Sequence, residues 1–81
     1  MRNTYKIVVV TNKGRYTLKA KGEGKPSALC HEAKSLAGSI FHSPCVDFVK
    51  VEDKFGHAFL LLDKINPIFN ENIPSEYADQ V

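Results

Sequence analysis

Thr4 to Thr11, TYKIVVVT, is rich in β-branched and aromatic residues and stays apolar without a break from Ile7 to Val10. A strand that alternates has one wet face, so an unbroken apolar run predicts a central strand with both faces covered. Asn12-Lys13-Gly14 follows as a hairpin signal. Arg15 to Lys21 then alternates: Tyr16, Leu18 and Ala20 fall on one face, and Arg15, Thr17, Lys19 and Lys21 on the other. The pattern changes period after Gly22-Glu23-Gly24. Pro26 suits a first helical turn, and Leu29, Ala33, Leu36 and Ala37 recur at helical spacing up to Gly38, which is placed to cap a helix of about three turns. Ser39 to Pro44 reads as a connector. Cys45 to Glu52 reads as a third strand, Asp53-Lys54-Phe55-Gly56 as a turn, and His57 to Asp63 as a fourth strand, again apolar on both faces.

The order β-β-α-β-β predicts an α+β fold: a four-stranded, mainly antiparallel sheet with one helix packed on one face, spanning residues 1–63. From Lys64 the chain turns rich in Asn and Pro. Residues 64–81 read as a tail anchored in part by Ile65, Ile68, Phe69 and Ile73 before fraying from Tyr77 to Val81. One helix leaves a sheet face open, yet the first and fourth strands are apolar on both sides. Val8, Val10, Leu60 and Leu62 are therefore expected to form a second apolar face. Leaving it wet forgoes about 1.5–3 kcal/mol for each large side chain. Either Ile65, Ile68 and Phe69 fold back over it, or a second copy of the chain does.

Eighty-one residues make one small core. No apolar run approaches a membrane span, and no cleavable leader is evident, which points to a cytoplasmic protein without a membrane partner. Two cysteines, Cys30 and Cys45, are too few for a secreted disulfide scaffold and read as reduced thiols. The charge is uneven. Residues 1–34 hold eight cations against two anions, a net +6, while residues 35–81 hold three against seven, a net −4. Lys6, Lys13, Arg15, Lys19, Lys21 and Lys25 make up most of the basic half and are the candidate basic binding face.

Catalytic motifs do not assemble. Gly24-Lys25 is followed by Pro26 where a phosphate-binding loop needs Ser or Thr, and Lys19 stands in place of its first glycine. Cys30 near a helix start has the setting of a lowered thiol pKa, but the adjacent His31 points about 100° away from it and makes a poor base. His42 and Cys45 have chelate spacing, with Cys30 as a third ligand from the helix. One such pair is half of what structural zinc sites show, so neither metal nor cofactor is expected. The element order resembles that of many small ββαββ modules, phage-encoded inhibitors among them, in architecture alone. The chain reads as a non-catalytic protein-binding module, an adaptor or inhibitor of the kind mobile elements carry, acting through its sheet surface on another protein or its own copy. The second reading is a nucleic-acid-binding protein using the basic second strand, and the third is an enzyme that depends on Cys30.

Overall fold

The computed structural model describes residues 2–80. β1 (Arg2–Thr11) and β2 (Gly14–Glu23) form the hairpin, and α1 (Pro26–Phe41) follows. β3 (Val46–Asp53), β4 (Ala58–Asp63) and the two-residue β5 (Glu71–Asn72) complete an antiparallel sheet of order β2-β1-β3-β4-β5. The expected α+β architecture with one helix is present; the sheet has five strands rather than four, because the tail returns to pair with β4.

β1 is an interior strand, as its unbroken apolar run predicts, but α1 covers only one of the two faces expected to be covered. Directly paired residues share a sheet face, so Tyr5, Ile7 and Val9 of β1 lie on the same side as Ala20, Leu18 and Tyr16 of β2 and Asp53, Val51 and Val49 of β3. This is the side that α1 covers with Leu29, Cys30, Ala33 and Ala37. Ile7, Val49, Val51 and Cys30 are fully buried there. A bulge between Val51 and Glu52 lets Glu52 pair with Ala58 while Val51 pairs with Leu60, so Phe59 is the extra residue on β4. Both Phe59 and Leu60 enter the core, where the Phe59 ring meets Tyr5 edge-on at 6.1 Å.

The helix is 16 residues long and runs through Gly38 to Phe41. The apolar stripe explains why: Ile40 and Phe41 continue the spacing from Ala33 and Ala37 and pack against the core. Their burial outweighs the cost of about 1 kcal/mol for glycine within a helix. The true break comes at the turn His42-Ser43, before Pro44. At the other end Lys25 offers no side-chain cap. Asp79 supplies one from far along the chain: Oδ1 accepts the Ser27 N–H at 3.0 Å and Oδ2 the Ser27 hydroxyl at 2.8 Å.

The tail does not fold across the second sheet face. It runs past β4 and onto the helix side, held by Ile73 N–H to the Phe59 carbonyl at 2.9 Å, by Lys34 Nζ to Asn72 Oδ1 at 2.8 Å and to the Ile73 carbonyl, and by buried Ala78. Instead of fraying from Tyr77, the chain forms a 3₁₀ helix over Ser75–Gln80; Val81 lies outside the described residues. Ile65, Ile68 and Phe69 cover nothing on that face and are 73%, 87% and 66% exposed.

A Cβ on Gly38 would meet nothing within 4 Å, and its φ is not positive. Gly38→Ala is expected to raise unfolding stability by about 0.5–1 kcal/mol, read by denaturant melts; a loss would show that the helix does not continue as described. Hydrogen bonds from Ser27 hold the Asp79 carboxyl below its usual value. Its contribution is therefore complete above the unfolded carboxylate pKa and is lost as pH falls through the lower folded one. Asp79→Asn should remove that part of the acid-side loss, and Asp79→Ala should also speed amide exchange at Ser27. An acid limb identical in parent and Asp79→Asn would contradict the cap.

Candidate binding surface

Register places the other side chains of the sheet on the face away from α1, in five rows across the strands, the first being Arg2 beside Glu23. Thr4 stands beside Lys21. Lys19, Lys6 and Glu52 form the next row, then Thr17, Val8, Lys50, Leu61 and Glu71, then Arg15, Val10, Phe48 and Asp63. α1 and the tail residues Ile73 and Ala78 pack with the core on the other face.

The face is graded from one edge to the other. Arg15, Lys19 and Lys21 of β2 with Lys6 of β1 make its first third basic. Val8, Val10, Phe48 and Leu61 form an apolar centre. Glu52, Asp63 and Glu71 bring negative charge to the β4 side. Val8 is only 5% exposed although it lies outside the helix-side core. Its register neighbours are Thr17 and Lys50, with Lys6 two residues along the strand, and long lysine stems are suited to cover apolar surface while their ammonium groups stay wet. Val10, Phe48 and Leu61 are half-buried. Lys50 reaches Glu52 at 3.2 Å, while Lys6 stands between Glu52 of β3 on one side and Lys19 of β2 on the other, the latter a like-charge cross-strand pair that costs stability.

Of the residues expected here, Lys6, Arg15, Lys19, Lys21, Val8 and Val10 share the face. Lys13 sits in the hairpin turn at one end of the β1–β2 ladder, and Lys25 precedes α1 beyond the other. Leu60 and Leu62 do not belong. Leu60 pairs with Val51 and Leu62 with Val49, so both lie on the helix side, and Leu61 takes the place assigned to them. The bulge at Phe59 sets that phase. Lys50 and Phe48 join the face unexpectedly: β3 alternates, but its hydrophobic pattern alone does not say which half looks outward.

The remaining chemistry is scattered. Cys30 is enclosed in the core, where burial pushes its thiol up from 9.0, and Cys45 is a free, exposed thiol. Tyr5 is pushed up to about 12, chiefly by burial. Asp53, buried, spends its carboxylate on the β3–β4 turn: Oδ1 accepts the N–H groups of Phe55 and His57 at 2.9 and 2.8 Å, and Oδ2 lies 3.0 Å from His57 Nδ1. Gly56 closes that turn at φ +88, a conformation side chains disfavour. Among the described residues no three His, Cys, Asp or Glu side chains are grouped to hold a metal, and no helix is long and apolar enough to cross a membrane.

Set beside known protein families, curated proteins and solved structures, the chain matches none of them.

Proposed function

We propose that this chain is a small non-catalytic protein-binding module, an adaptor or inhibitor that presents the open face of its sheet to a protein with an acidic surface. The observation that carries this reading is the Lys6–Lys19 pair, set beside a belt of half-buried apolar side chains. Two cations held face to face spend folding stability, and an anionic partner recovers it. The apolar centre supplies area to desolvate, and the acidic far side gives a partner one orientation, since reversing it sets like charges together. Ile65, Ile68 and Phe69 add an exposed apolar knuckle beyond β4, of the kind that marks contact sites. Its groups with shifted pKa values also suit a binding role. Cys30 and Tyr5 move up and Asp79 moves down, each away from neutral pH rather than toward it.

Phe48 favours a second reading. An aromatic ring on a basic sheet face is the start of a stacking platform for single-stranded nucleic acid. Against it, Glu52, Asp63 and Glu71 lie on the same face and repel a phosphate track that crosses it.

Lys19→Glu separates folding from binding. It turns a repulsive cross-strand pair into an attractive one, so the variant should be more stable than the parent by about 0.2–1 kcal/mol while losing its partner. The check is affinity capture from host extract, with and without nuclease treatment, at low and high salt, alongside denaturant melts and titration of the parent with random single-stranded RNA and DNA. Capture by the parent, lost in the stabilised variant and weakened by salt, is the expected result. Capture that disappears on nuclease treatment, with tight salt-dependent binding of the random oligonucleotides, would replace the protein partner with a nucleic acid.

A further inference from the structure

The free edge of β2 is as distinctive as the open face beside it. At the opposite edge β4 is partly covered by β5 and the tail, whereas β2 borders only β1 across all ten of its residues. Which of its backbone groups point outward follows from the ladder. The Lys64 N–H bonds the Asp47 carbonyl at 3.0 Å. This directs Asp47, Val49 and Val51 toward β4 and Phe48, Lys50 and Glu52 toward β1. Val10, Val8 and Lys6 bond back to β3, so Val9, Ile7 and Tyr5 bond to Tyr16, Leu18 and Ala20. The N–H and C=O groups of Arg15, Thr17, Lys19, Lys21 and, at the strand's end, Glu23 are left facing outward.

The two sides of this edge differ. Toward the open face stand Arg15, Thr17, Lys19 and Lys21, with Glu23 at the strand's far end. Toward the helix side stand Tyr16 and Leu18, 53% and 44% exposed. Leu29 leans over Gly22, since a Cβ there would lie 3.5 Å from its Cδ1, and Leu36, two turns further along α1, is 48% exposed. Tyr16 and Leu18 thus form a small apolar shelf on this side of β2. Lysines alone would serve as protection against edge pairing; an apolar shelf on the other side of the same strand is what such protection leaves out.

Resting on the binding-module reading, we infer that β2 is a docking edge for an extended peptide of alternating acidic and apolar residues, which adds a sixth strand to the sheet. Residues of the added strand opposite Arg15, Thr17, Lys19 and Lys21 share their face and meet positive charge. The residues between them share the face of Tyr16 and Leu18 and cover the shelf. An acidic strand fits this edge better than a second copy of β2. Antiparallel self-pairing centred on Leu18 sets Arg15 against Lys21, centring on Thr17 sets Arg15 against Lys19, and centring on Lys19 matches Arg15 with Glu23 but sets Lys19 against itself.

The probe is a short blocked peptide of alternating glutamate and valine, compared with one of alternating lysine and valine, followed by amide-resolved NMR and hydrogen exchange on the full chain. The glutamate peptide should bind and slow exchange at Arg15, Thr17, Lys19 and Lys21; the lysine peptide should not. Thr17→Pro removes one outward donor at a position where an edge strand tolerates proline and should weaken binding about tenfold. A parent-like amide spectrum elsewhere establishes that the variant is folded, and Thr17→Ala, which keeps the N–H, should bind as the parent does. Binding that ignores Thr17→Pro but is lost in Lys50→Glu would overturn the edge and leave the sheet-face module standing. No binding of the glutamate peptide, or binding without protection of the edge amides, would overturn the edge too. The module reading is then judged by the capture experiment alone.

Discussion

One helix can cover only one face of a sheet this wide, and the rest of the molecule answers to that limit. Most of the large dry side chains are directed to the α1 side: Tyr5, Ile7 and Val9 from the centre, Val49 and Val51 beside them, and Phe59 with Leu60 through the bulge. The opposite face then has to be built from residues that tolerate water and still shelter Val8 and its neighbours. Lysine does both, with an apolar stem and a wet head. A basic face is thus a structural solution before it is a functional one. What goes beyond the structural need is the placing of Lys6 against Lys19.

The same limit explains the tail. A helix of 16 residues without a side-chain N-cap of its own, resting on a narrow core, gains from any segment that closes its ends. Asp79 caps its start, Lys34 ties the tail to its middle, and Lys64 reaches the Ser43 carbonyl just past its end at 2.7 Å. The tail is drawn to the helix side because unsatisfied backbone groups and apolar surface lie there. The open face offers mostly solvated charge.

Most of the architecture could be read from hydrophobic periodicity, since β1's unbroken apolar run and β2's clean alternation each have one sensible placement. The length of α1 could not: Gly38 looks like a stop until the packing of Ile40 and Phe41 is counted. β5 carries two polar residues, Glu71 and Asn72, and no pattern announces it. The basic half of the candidate surface was legible because its residues alternate on one strand. Its apolar half was misassigned by one position along β4. HAFLLLD is apolar on both faces, and only the bulge decides that Leu61, rather than Leu60 or Leu62, turns outward.

The central claim is that the sheet ends at β2, with its outer backbone groups free and its inner ones paired. Amide hydrogen exchange of the isolated chain, resolved by residue, tests this most directly. The account predicts alternating protection along β2, with slow exchange at Tyr16, Leu18 and Ala20 and fast exchange at Arg15, Thr17, Lys19 and Lys21, and slow exchange throughout the middle of β1. Uniformly slow exchange along β2 would mean that another strand already pairs with it, and would contradict the account.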